Sequence, residues 1–290
     1  MKPWKVESEY HIPVLLNESL DALISNPEGV YVDVTYGGGG HSRAILKRIS
    51  PSGRLVGMDQ DADALENEID DDRFEIVHGN FRFLAHYLRY MGIHQVHGIL
   101  ADLGVSSYQL DEGSKGFSFS KGDSLDMRMN QAAEKSALDI VNNETEIGLV
   151  NIFSSYGEVR NSKSLARAIV AARESRPISN SHEFLHCVEP LAIGHRPRYL
   201  AQVFQAIRIK VNDEINALED FLEAGADMLV PGGRLVVLTY HSIEDRVVKH
   251  FIKNGKSVES VNRKPILASA AELKANSRAR SAKLRIAEKI

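Results

Sequence analysis

Apolar and polar residues alternate with period two from Val30 to Thr35, the pattern of a strand with one face in a core. Four consecutive glycines follow, Gly37 to Gly40, and from His41 to Ile49 apolar residues return at helical spacing. A strand, a glycine turn and a helix in that order let a ligand approach the backbone. Glycine takes φ > 0 without a Cβ penalty, and the first amides of the helix lack partners within it. Many tight turns need glycine and bind nothing, so the run alone leaves a ligand open. The same alternation continues downstream: strands are predicted at 30–35, 54–59, 73–78 and 98–103, with helices at 41–49, 61–69 and 81–90. Such a succession implies a parallel sheet covered on both faces. An amphipathic segment from Asn17 to Leu23, after His11-Ile-Pro-Val-Leu-Leu16, reads as a lead-in helix.

The alternation stops after Leu103. Residues 104–130 are rich in Gly, Ser, Asp and Met, and helical patterns then follow near 136–142, 145–154, 162–174 and 181–189 with no strand between them. Residues 106–200 therefore read as an inserted helical subdomain, flanked by 1–105 and 201–290 as the two parts of the α/β domain. A long helical pattern runs from Tyr199 to Leu229, and Pro231-Gly-Gly233 ends it. Arg234 to Thr239 is a buried strand, a helix follows from about Ile243 to Lys253, and Lys283 to Ala287 reads as the last strand. At the start of that last helix, Ser242 is expected to be the cap, with Asp245 completing a capping-box-like pair.

The chain has 290 residues, 43% of them hydrophobic, enough for a large core. Its only cysteine, Cys187, excludes a disulfide framework or a cysteine-based metal cluster, and reads as a core residue of the insert. No His/Asp/Glu cluster has ligand spacing, so no metal is expected. The N-terminus lacks the apolar core of a signal peptide, and no run is long enough to span a membrane, so a cytoplasmic location is expected. The net charge of −4 hides an asymmetry. Residues 246–290 hold twelve Lys/Arg against three acids, while the rest of the chain is strongly acidic. This fits a polyanionic partner or a solvated basic tail, and charge alone does not choose.

Ligands of open parallel sheets bind at the carboxyl ends of the strands, which directs attention to the residues closing each one. Asp59 closes the second strand, twenty residues after Gly39, where a carboxylate can accept both hydroxyls of a ribose; Asp61 is better placed to cap the next helix. Phe81, after the third strand, can stack on an adenine ring or join the core. Asp102 closes the fourth, a carboxylate in an apolar run that is costly to bury without purpose. The glycines are contiguous rather than spaced as Gly-x-Gly-x-x-Gly, and residues 30–42 contain no Arg or Lys. Both features suit S-adenosylmethionine, which carries no phosphate, better than a nicotinamide dinucleotide.

Seven motifs then carry a resemblance. Thr35-x-Gly37-x-Gly39-Gly-His41-Ser, Asp102-Leu-Gly-Val-Ser-Ser107, Gly116-Phe-Ser-Phe119 and Leu125-Asp-Met-Arg-Met129 resemble the RsmH (MraW) family. So do Phe204-Gln-Ala-Ile-Arg-Ile-x-Val-Asn212, His241-Ser-Ile-Glu-Asp-Arg246 and Arg278-Ala-Arg-Ser281, over nearly the whole chain. The resemblance implies a Rossmann-like methyltransferase with an inserted helical domain, acting on the N4 amine of a cytosine in the decoding region of 16S ribosomal RNA. It places cofactor contacts at Gly39, Gly40, His41, Asp59, Phe81, Asp102 and Gln109. One departure is Tyr240, where Phe is expected before His-Ser. In place of the Asp/Asn-Pro-Pro-Tyr/Phe turn of many amino-methyltransferases, this chain has Asp102-Leu-Gly-Val-Ser-Ser107. Asp102 is therefore expected to hold the cofactor near its methionine end and to help orient the amine, with Ser106 or Ser107 accepting from it. His241 is either a contact to the target base or an exposed loop residue. Arg208, Lys210, Arg278, Arg280, Lys283 and Arg285 are candidate phosphate contacts, and the insert's helices could clamp RNA or serve a homodimer. The rival readings are a nicotinamide oxidoreductase, an RNA-binding assembly factor with a vestigial pocket, and a DNA amino-methyltransferase.

Overall fold

The structure, a computed structural model, describes residues 13–120 and 122–290; His11 lies outside them. The chain forms two compact units, one from the residues up to Gly104 together with Ile215–Ile290, the other from Val105–Glu214.

The first unit is built on a seven-stranded sheet: β1 (Val30–Asp33), β2 (Arg54–Asp59), β3 (Phe74–His78), β4 (Val96–Asp102), β5 (Leu229–Thr239), β6 (Val258–Ser260) and β7 (Lys283–Lys289). Their order is β3-β2-β1-β4-β5-β7-β6. β1 to β5 run parallel, and β7 lies antiparallel between β5 and β6. Helices α1 (Leu16–Leu23), α2 (Gly40–Leu46) and α3 (Leu84–Tyr90) precede the second unit, which carries α4 (Ser107–Asp111), α5 (Ala137–Asn143), α6 (Glu146–Gly157), α7 (Ser162–Ser175), α8 (Ser181–Val188) and α9 (Arg196–Asn212). Then come α10 (Glu214–Met228), α11 (Ser242–Asn254) and α12 (Ala270–Ala275).

Successive strand residues enter opposite cores, as a pleated strand requires. Val32, Ile99 and Val237 join one cluster with Leu84, Phe221 and Val248. Tyr31, Leu100 and Val236 join another with Leu20, Ile45 and Leu284. The order of strands reverses between β1 and β4, and it is at such a switch point that open parallel sheets form a crevice at the carboxyl ends of their strands.

Three sequence expectations change. The helix predicted over 61–69 is a short 3₁₀ turn, Ala62–Glu66, capped by Asp61 as expected. The chain leaves it at Asn67, whose Nδ2 donates to Gly37 O at 3.0 Å. The long helix predicted from Tyr199 to Leu229 is two helices, separated by Asp213 with φ of 51°. Tyr199, Val203, Phe204 and Ile207 of α9 belong to the insert's own core, with Phe184 5.7 Å from Phe204, so the second unit extends to Glu214 instead of 200. Finally, β6 and α12 lie in a stretch read as loose.

Two of the seven motifs, Leu125–Met129 and Phe204–Asn212, meet within the insert. Asn212 Nδ2 donates to Met127 O at 2.7 Å, and Met129 N donates to Asn212 Oδ1 at 2.8 Å. These bonds brace Met127, which is buried with φ of 61°.

Candidate functional site

The glycine turn is held by acids on neighbouring strands. Gly37 N donates to Asp59 Oδ2 at 2.8 Å, and Asp61 N donates to Asp59 Oδ1 at 2.9 Å. Burial pushes the carboxyl up to about 6, against the hydrogen bonds from the amides of Asp61, Gly37 and Gln60. Gly39 takes φ of 73°, and a Cβ there would lie 2.6 Å from Arg43 Nη1 and 2.8 Å from the Tyr36 hydroxyl. At Gly40 it would lie 2.6 Å from Pro13, whereas at Gly38 it would meet open space. Arg43, the first cation after the turn, donates to Gly38 O at 2.6 Å.

Beneath the turn sit two more acids. Asp33, buried at the end of β1, accepts from the Ser42 hydroxyl at 2.7 Å and from Thr35 N at 3.2 Å. Burial raises its pKa, against the attraction of His41. Asp102, at the end of β4, accepts from the Tyr240 hydroxyl at 2.6 Å, and its own amide donates to Thr35 Oγ1 at 2.6 Å. His41 Nδ1 stands 3.7 Å from the second Asp102 oxygen. Burial pushes Asp102 up to about 7, opposed by the Tyr240 hydrogen bond and reinforced by Glu244. The same burial lowers the His41 pKa. Asp33, Asp59 and Asp102 thus bring three carboxyl groups to adjacent strand ends.

The MraW methylase family model matches residues 8–290. The chain belongs to the MraW methylase family. It is 51% identical to the ribosomal RNA small subunit methyltransferase H of Bacteroides thetaiotaomicron over 98% of this chain and 99% of that one. It is 50% identical to the protein of the same name from Parabacteroides distasonis, again over 98% and 99%. The counterpart from Christiangramia forsetii is 46% identical over 97% of this chain and 98% of its own length.

The residues of the crevice fit the methylase cofactor, S-adenosylmethionine. Asp59 has acceptor capacity beyond its backbone donors for a ribose hydroxyl, Gly38 leaves room above the turn, and three acids suit a ligand with a sulfonium and an ammonium. A phosphate would meet those acids instead. Phe81 is half-buried after β3, edge-on to Phe221 with ring centroids 5.3 Å apart, so core packing accounts for part of its surface.

The other predicted site residues sit as follows. In the insert, Ser106 caps α4: its Oγ accepts from Gln109 N at 3.1 Å, and Gln109 Oε1 accepts from Ser106 N at 3.0 Å. Gln109 is buried, and Ser107 is the first residue of that helix. Arg208 makes a two-pronged pair with Glu214, both bonds 2.8 Å and both side chains mostly buried, while Lys210 is exposed. In the first unit, His241, not Ser242, caps α11, and its capping-box partner is Glu244, not Asp245. Asp245 instead accepts from Lys283 Nζ at 3.0 Å and Arg285 Nε at 2.7 Å. Burial opposes ionisation of Asp245, but these two cations hold its pKa below the usual carboxylate range. Arg285 is buried, so it has a structural task. Arg278 is half-buried and Arg280 exposed, as are Arg263, Lys264 and Lys274. Asp33 and the Tyr240 hydroxyl join the site only in the folded structure. Asp33 carried the same signal as Asp102, an acid in an apolar strand; the Tyr240 hydroxyl looked incidental.

Proposed function

We propose that this protein transfers the methyl group of S-adenosylmethionine to the exocyclic N4 amine of a cytosine in the decoding region of 16S ribosomal RNA. Family membership and the names of its relatives support ribosomal RNA methylation. The observation that carries the reading on this chain is the set of acids at the ends of β1, β2 and β4 around a glycine turn.

The cofactor, when bound, supplies an electrophilic methyl group on a sulfonium centre. Asp59 holds the ribose hydroxyls, and Asp102 provides the counter-charge near the methionine end. The amine of cytosine is a poor nucleophile because its lone pair is delocalised into the ring. Positioning and an acceptor for its N–H are therefore the protein's main contributions. Ser106 keeps one lone pair beside its capping bond and is the candidate acceptor within Asp102-Leu-Gly-Val-Ser-Ser107. The transfer is direct, with no covalent enzyme intermediate. Cys187 does not serve one: burial pushes its thiol up, and its Sγ lies 3.2 Å from Glu183 O. The cytosine must be unpaired and unstacked to be reached.

RNA phosphates are assigned to exposed cations, Lys210 in the insert and Arg263, Lys264, Lys274 and Arg280 in the basic tail. Among the described residues no helix is long and apolar enough to cross a membrane, and the cytoplasm is the proposed location. The test is incubation with labelled methyl donor and small ribosomal subunits from an unmodified strain, followed by mapping of the labelled nucleotide. Label on a base other than cytosine, or none, would overturn the reading.

A further inference from the structure

Tyr240 follows β5 at the position where the family resemblance leads to Phe. Its hydroxyl donates to Asp102 Oδ1 at 2.6 Å. The backbone behind the ring is fixed independently. Tyr240 N donates to Glu244 Oε2 at 2.8 Å, and His241 N donates to the same oxygen at 3.3 Å, so the buried α11 capping box sets the ring's origin. The ring also packs on the core cluster that holds Leu238 and Leu284, and a Cβ at Gly104 would be 3.5 Å from its Cδ2. A tyrosine anchored at its backbone, its ring and its hydroxyl cannot swing away at little cost.

We propose that Tyr240 is a positioning residue, whose hydroxyl fixes the Asp102 carboxylate in the orientation that receives the cationic methionine end of the methyl donor. The inference rests on the reading of Asp102 given above and adds to it a residue outside the cofactor-contacting set. The charged and titratable groups facing Asp102 are His41 from α2, with Nδ1 3.7 Å from Oδ2, Asp33 from β1, and Glu244 from α11. Burial and Glu244 oppose its ionisation, and an ionised Asp102 in turn raises the pKa of Asp33. Tyr240→Phe removes the short donor and leaves both acids in place. Asp102 in the variant must therefore ionise at higher pH.

The test is calorimetric titration of S-adenosylhomocysteine into the wild type and Tyr240→Phe from about pH 6 to about pH 8.5, a range spanning the Asp102 transition. A hydrogen bond to a charged acceptor is worth enough to weaken binding about 10-fold at neutral pH when lost. The deficit should narrow as pH rises, with the midpoint of the affinity profile moved up by about one unit. In an Asp102→Asn background, Tyr240→Phe should add little further loss. Phe removes one oxygen and is the residue the resemblance leads to here, so folding is preserved. Equal affinity and midpoint in the two proteins, or a deficit constant with pH, overturns the proposal. If the wild type fails to bind S-adenosylhomocysteine, or Asp102→Asn binds like the wild type, the underlying reading of the site fails instead.

Discussion

Asp102→Asn removes one negative charge from the end of β4 and leaves an amide of nearly the same volume, able to accept the Tyr240 hydroxyl. Burial places the folded-state pKa of Asp102 at about 7 against an ordinary 3.8. A rise of about three units, at about 1.4 kcal/mol each, makes the ionised carboxylate cost the unliganded fold up to about 4 kcal/mol. That figure is a ceiling, because water in the open crevice screens part of the penalty. The sign follows from the folded pKa lying above the unfolded one. The cost is absent below about pH 4, grows as pH rises towards 7, and is complete above it. The variant should therefore melt higher than the wild type at about pH 8, by roughly 2–4 °C per kcal/mol, with the gain gone by about pH 4. Circular dichroism melts at both pH values measure this, and calorimetry should show donor affinity weakened in the same variant. A variant no more stable than the wild type at the higher pH would refute the claim that Asp102 is held ionisable against the preference of the fold.

Gly39→Ala should cost about 1–3 kcal/mol in a denaturant melt and abolish S-adenosylhomocysteine binding, because φ of 73° disfavours any Cβ and the new carbon would press on Arg43 and Tyr36. Arg208→Gln leaves Glu214 with no guanidinium in a mostly buried place. It should destabilise the protein by about 3 kcal/mol, while Lys210→Gln should leave the melt unchanged and weaken RNA binding. Replacing Arg263, Lys264, Lys274 and Arg280 together by Gln should flatten the logarithmic salt dependence of RNA binding by up to about 3, at unchanged donor affinity. An unaltered salt slope would remove the tail from the RNA interface.

The sheet was legible because each central strand is buried on both faces. Runs such as Arg54-Leu-Val-Gly-Met-Asp59 and Arg234-Leu-Val-Val-Leu-Thr239 announce themselves without their partners. The division of α9 from α10 was not, since Asp213 in the left-handed region is a single-residue event inside an unbroken apolar pattern. Charge told a partial story for the same reason. The basic tail contains Arg285 and Lys283, but their neutralising partner Asp245 lies forty and thirty-eight residues earlier, on α11. At the candidate site, Asp59 and Asp102 could be found as polar residues closing apolar strands. The pairing of Asp102 with Tyr240 spans 138 residues and joins β4 to the turn after β5, a contact that only the strand order creates.

That strand order also sets the charge that the site presents to a ligand. In a dinucleotide-binding sheet the first helix presents its positive N-terminus to a pyrophosphate. Here Asp33 lies under α2, bonded to Ser42, and Asp102 stands by His41, so the positive end of that helix is answered by the protein's own acids. Each acid is pushed towards neutrality by burial, and each recovers its charge most readily when a cation arrives. On the proposed reading, a donor bearing a sulfonium would satisfy that demand. One arrangement of acids, on that reading, disfavours a phosphate cofactor and suits a cationic methyl donor.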